Sequence, residues 1–370
     1  MEFGEDDKLW ADLEQLTLES GTESLNIPTE FHRWNDLPTE MLRSVMQHME
    51  FTSLMQLRGA DRTMKSLVES GIYEFDYVKC THWESSNNGL HFHMSAERHG
   101  TRFPLTMEND LFDQDYGFVP YSHIIQCMQH ILKFGRIRAL EVCYVPRHNF
   151  SEERLEDTMC EMLDQLEISA PFRFSNFVQD GISPKLTLFF LRHCDEDVRS
   201  IQLFHDCPAN APGITVNMDE LLEEPKFMSV PTIKILYPNY ESYSQIAVLM
   251  AKKWKETDAA LGQKILVAAS TFIEPNVVRE PLFQQFASEF NAEIISEWEY
   301  GEDETGELRI QMTDRQKQIL VRKTKGALFC AVVPASLRNS EVHVKFKKEL
   351  EWLQYPSLTD TSLDFMVANI

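Results

Sequence analysis

Glycine is scarce, at 14 of 370 residues, and none of it falls into GxxxxGK[ST] or GxGxxG. Without such loops the backbone offers no ready cradle for phosphates. GxSxG and HExxH are absent too, so the chain carries neither a nucleophile elbow nor a zinc helix. Cysteine is thinly spread, at positions 80, 127, 143, 160, 194, 207 and 330. No two are three apart, which excludes CxxC chemistry, and an odd, scattered set reads as reduced thiols of the cytoplasm or nucleus. Basic residues are in deficit, 35 Lys and Arg against 58 Asp and Glu, for a net charge of −23. That balance argues against general binding to nucleic acid or anionic membranes, because phosphate attraction needs positive charge. No run reaches the roughly 18 charge-free apolar residues of a spanning helix. The opening MEFGEDDKLWADLEQ has no basic n-region or apolar h-region, so no signal peptide is expected.

What is present supports a packed core. Hydrophobic residues make up 43% and aromatics 11%, and the length fits two or three domains. Residues 1–30 carry nine acidic side chains against Lys8 alone, so they read as a solvated acidic tail.

The stretch from 31 to 72 reads as short helices. Asp36 or Pro38 starts the first, and Met41, Leu42, Val45, Met46 and Met49 follow at helical spacing. Phe51-Thr52-Ser53 breaks the pattern. Leu54, Leu57 and Ala60 begin a second face, Met64, Leu67 and Val68 continue it, and Gly71 closes the run. A unit of about 40 residues is too small to be very stable by itself. It is expected to need a partner or the rest of the chain.

These residues resemble the F-box. The matches are Leu37-Pro38, Glu40, Met41-Leu42, Val45-Met46, Met49, Leu54, Leu57-Arg58, Ala60, Arg62 and Leu67, in one ungapped register. The departures are Asp61 in place of a small residue, Met64 in place of Trp, and Gly59 inside the last helix. The layout is most similar to the expanded nematode F-box proteins. The resemblance implies a three-helix F-box that docks a helical Skp-type adaptor, and through it a cullin. The residues it assigns to that contact are Leu37, Pro38, Met41, Leu42, Val45, Met49, Leu54 and Leu57.

Residues 73–135 read as a connecting α+β region. Phe75 and Tyr77, then Leu90, Phe92 and Met94, alternate like two strands around the SSNNG turn at 85–89. His91 and His93 share a strand face, but no third donor is spaced to make a zinc site with them. From 121 to 134 the pattern is helical.

From 136 to 300 the chain alternates between strand-like and helix-like segments. Anchors at Leu140, Phe172, Ile201, Ile233, Ile265 and Ile294 are separated by 32, 29, 32, 32 and 29 residues. Ser151, Ser183, Asn217 and Ser242 are placed to cap the intervening helices. Three copies share apolar-xx-apolar-x-apolar: Ile137/Leu140/Val142, Val198/Ile201/Leu203 and Val230/Ile233/Ile235. This spacing resembles the strand part of a leucine-rich repeat, although the repeats are long and the usual strand-ending asparagine is out of register. It implies a horseshoe of parallel strands and helices with units of about 30 residues. A single α/β domain without true repeats is the competing expectation. Residues 301–370 read as an antiparallel cap of strands and a last helix.

The fold class expected is therefore α+β / α/β: an F-box, a strand–helix repeat-like domain and a closing antiparallel sheet. No catalytic residue, metal ligand or cofactor is assigned. His193-Cys194 and His205-Asp206-Cys207 have no third group to make a catalytic set. The resemblance implies a non-enzymatic, substrate-recognition subunit of a Skp-cullin-F-box ubiquitin ligase, in the cytoplasm or nucleus. By strand alternation, Glu141, Arg173, Ser175, Gln202 and Lys234 would face a protein substrate. The alternative is a scaffold in which the helical hairpin packs on the chain's own repeat domain.

Overall fold

The computed structural model describes residues 37–49, 51–60, 62–84, 90–104, 131–145, 171–181, 183–204, 218–237, 240–269, 286–292, 294–300, 303–324 and 327–348. The expected acidic tail, the helix read at 121–134 up to residue 130, the His205–Cys207 segment and the caps Ser151 and Asn217 lie outside them. So do the turn at 85–89 and the C-terminal tail from 349. The chain divides into two compact units, Met1–Val68 and Glu69–Ile370.

In the first unit, helices α1 (Thr39–His48), α2 (Phe51–Ala60) and α3 (Arg62–Glu69) follow one another with single-residue breaks or nearly so. Pro38 precedes α1 with φ −54°, already near the helical value, and its carbonyl accepts from the amides of Met41 and Leu42. Glu40 in the first turn and His48 in the last suit the helix dipole. Leu42 and Met46, four apart, form the buried stripe of α1; Met64 and Val68 do the same on α3.

The second unit is built on one twelve-stranded sheet. The strands are β1 (Tyr73–Glu84), β2 (Leu90–Arg98), β3 (Thr101–Pro104), β4 (Gly135–Val145), β5 (Phe174–Asp180), β6 (Ser200–Phe204), β7 (Thr232–Tyr237), β8 (Lys264–Ala269), β9 (Ile294–Tyr300), β10 (Asp303–Gln311), β11 (Lys317–Thr324) and β12 (Ala327–Pro334). Their order is β3-β2-β1-β4-β5-β6-β7-β8-β12-β11-β10-β9. The run β1-β4-β5-β6-β7-β8 is parallel, and the flanking strands are antiparallel. This is a mixed α/β architecture. Residues 73–135, read from sequence as a connecting region, supply β1 to β3 of this sheet and the first residue of β4.

Helices α4 (Pro184–His193), α5 (Asp219–Glu223), α6 (Pro225–Ser229) and α7 (Tyr240–Thr257) lie in the crossovers from β5 to β8. Each crossover joins neighbouring parallel strands in chain order. With the right-handed sense such connections take, that order places the helices on one face of the sheet. Ser183 caps α4, its hydroxyl accepting from the Leu186 amide, with Pro184 in the first turn.

The register explains the apolar spacing. Val78, Leu140, Phe177, Ile201, Ile233 and Ile265 pair in one row across the parallel strands, and all are fully buried or nearly so. Two residues on, Cys80, Val142, Gln179, Leu203, Ile235 and Val267 form a second row. Phe174 and Phe177 both meet the Phe190 ring of α4, at 6.4 and 5.4 Å between centroids, so this is the helix-bearing face. Gln179 occupies an apolar place in the second row. Its amide donates to the carbonyls of Gly181 and Ser183 and accepts from the Thr187 hydroxyl at 2.6 Å, tying α4 to the end of β5.

Two anchors are corrected by this register. Phe172 precedes β5 and makes an isolated bridge with Cys194; Phe177 stands in the row instead. PFRFSNF offers phenylalanines in two registers, and periodicity alone does not choose between them. Ile294 lies in β9 at the far edge of the sheet, because β8 pairs on that side with β12. The antiparallel strands expected in 301–370 are β10 to β12, with β9 just before them, and all four continue the main sheet from β8.

The opposite face is closed over its C-terminal half by α8 (Asn339–Lys345) and Phe346. Val342 and Phe346 pack with Leu236, Leu266, Ala268, Leu320, Phe329, Ala331 and Val333. The rings of Phe329 and Phe346 stand 5.0 Å apart. Arg309 holds the segment before α8 by donating from Nη1 to the Leu337 carbonyl at 2.7 Å.

Candidate interaction surfaces

Helix α1 has two apolar stripes. Leu42 and Met46 are buried, while Met41 and Val45, also four apart, are 49% and 40% exposed. Adjacent residues on a helix point about 100° apart, so this second stripe flanks the first. Of the other residues expected at an adaptor contact, Pro38 is exposed, and Leu37, Met49 and Leu57 are half-buried. Leu42 and Leu54 are buried, so in this chain they are core side chains. Covering the part of Met41 or Val45 still exposed is worth about 1 kcal/mol each.

The second surface is the sheet face opposite the helices, over β1 and β4 to β7. Lys79, Glu141, Val178, Gln202 and Lys234 pair in one cross-strand row there. Glu141, Gln202 and Lys234 are thus brought together as alternation leads one to expect. Arg173 and Ser175 are not. Arg173 precedes β5 and donates to the Lys133 carbonyl at 3.3 Å, and Ser175 is out of the row, whose β5 place belongs to Val178. The displaced anchor at Phe172 is the cause.

Glu141 is 5% exposed and carries three partners. Lys79 Nζ lies 2.7 Å from its Oε1, the Cys143 thiol donates to the same oxygen at 2.8 Å, and the Tyr77 hydroxyl donates to Oε2. Burial pulls the Lys79 ammonium down, but the charge and hydrogen bond of Glu141, with Cys143, leave it raised and so firmly protonated. One row away, Asn176 donates to the Arg138 carbonyl and accepts from the Ser200 hydroxyl, both at 2.7 Å. Sequence reading missed Tyr77 and Lys79. Their alternation within YEFDYVKC is visible, but the parallel pairing of β1 with β4 that makes them neighbours of Glu141 is not.

The described cysteines are held protonated. Burial pushes the Cys80 thiol up to about 12. Burial and the Glu141 carboxylate push Cys143 up, and burial alone does so for Cys330. Cys194 is raised by burial as well, and its sulfur donates to the carbonyls of Phe174 and Glu196. Its neighbour His193 binds the Phe189 carbonyl through Nδ1 at 2.8 Å. A thiol held protonated is a poor nucleophile and a poor metal ligand. Among the described residues, no group of three or more His, Cys, Asp and Glu is placed to hold a metal ion. No helix among them is long and apolar enough to cross a membrane.

No family model matches the chain, and no curated protein matches it. Among solved structures, a SAM-bound amino pentose methyltransferase from Micromonospora echinaspora aligns at 8% identity and a TM-score of 0.13. The alignment covers 54% of this chain and 83% of that one. A likeness at that level carries no argument about fold or activity.

Proposed function

We propose that the chain is a non-catalytic, protein-binding receptor, the substrate-recognition subunit of a Skp-cullin-F-box type ubiquitin ligase. In this reading the helical unit is an F-box that docks a Skp-type adaptor through Leu37, Pro38, Met41 and Val45, with Leu42 and Leu54 as the packing beneath. The observation that carries it is the exposed Met41/Val45 stripe beside the buried Leu42/Met46 stripe, within a segment whose residues follow the F-box register. Two apolar stripes on one short helix fit a unit that packs inward and still has a partner to meet.

The second unit, in the same reading, is a horseshoe-type array closed by an antiparallel end. Parallel strands adjacent in chain order, with helices in their crossovers, support it. The partly exposed residues of that row, Lys79, Gln202 and Lys234, would meet a protein substrate, with Glu141 buried behind Lys79 and Val178 buried beside it. Those three side chains are polar, which suits a protein surface better than a small apolar ligand. The mechanism is positional. Substrate lysines are held near the transfer machinery, which raises their effective concentration, and the chemistry belongs to other subunits. Such a complex would work in the cytoplasm or nucleus.

Co-expression with a Skp-type adaptor, followed by size-exclusion chromatography, tests the proposal. A stable one-to-one complex that is lost on changing Leu37→Ala with Pro38→Ala is the expected result. A monodisperse chain that ignores the adaptor overturns it.

A further inference from the structure

We draw no further inference here: the strongest candidate, the Tyr77, Lys79, Glu141 and Cys143 cluster on the sheet face at β1 and β4, belongs to the surface already described, and its polar atoms bond one another.

Discussion

Lys79 and Glu141 face each other across the parallel pair β1 and β4, with 2.7 Å between ammonium and carboxylate. The carboxylate is almost wholly buried and the lysine side chain is 29% exposed. Removing the cation therefore strands a buried charge, whereas removing both does not. Lys79→Met is expected to cost roughly 1–3 kcal/mol. The double change Lys79→Met with Glu141→Leu should recover part of that loss, since the Tyr77 hydroxyl and the Cys143 thiol then lose this acceptor. Urea denaturation of the parent, the two single variants and the double variant checks it; additive losses would show that the pair is not coupled.

Gln179 and Thr187 form a comparable neutral pair. Thr187→Val leaves a fully buried amide oxygen without its hydroxyl donor, at a cost of about 1–3 kcal/mol. Gln179→Leu with Thr187→Val removes that orphan oxygen but also takes the Gln179 donor from the Gly181 and Ser183 carbonyls, so only part of the loss should return. Thermal unfolding followed by circular dichroism reads both.

The register makes a prediction of its own. Phe177 is fully buried against Phe190, and Phe177→Ala should cost about 3–5 kcal/mol. Ser175, two residues earlier and half-buried, should tolerate Ala within about 0.5 kcal/mol. A reversed ranking would mean that β5 is threaded differently.

Cys80 gives the alkaline limb of stability a definite sign. Below the ordinary thiol pKa of 9.0, folded and unfolded chains both keep the proton, and Cys80 adds no pH dependence. Above it the unfolded chain ionises, while the folded chain holds its proton until about 12. Stability from this group is therefore lost as pH rises through that window. Cys80→Ala, each variant compared with its own stability at neutral pH, should lose stability less steeply there. The same burial predicts slow alkylation of Cys80, Cys143, Cys194 and Cys330 in the folded protein and fast alkylation once it is unfolded.

Much of the sheet was legible because alternation and helical spacing are local properties. The apolar-xx-apolar-x-apolar spacing marks the side chains that turn toward the helices, and Ser183 marks the start of α4. What local pattern does not carry is strand order. That β1 joins the parallel run, and that β12 rather than β9 follows β8, depends on pairings between residues dozens of positions apart. The same limit explains the surface. Glu141, Gln202 and Lys234 were found by alternation, Arg173 and Ser175 were misplaced by one wrong anchor, and Lys79 was invisible until β1 stood beside β4. On α1, periodicity grouped Met41, Leu42 and Val45 together. Only burial separates Leu42, which holds the unit, from its two exposed neighbours.

Those two neighbours give the most direct test. Purified adaptor would be titrated against the full chain and against Met41→Glu with Val45→Glu, with circular dichroism confirming that the variant is folded. Adaptor docking through this stripe predicts binding to the parent chain and a loss of at least about 100-fold in the variant. Equal binding by both proteins, or none by either, would contradict it.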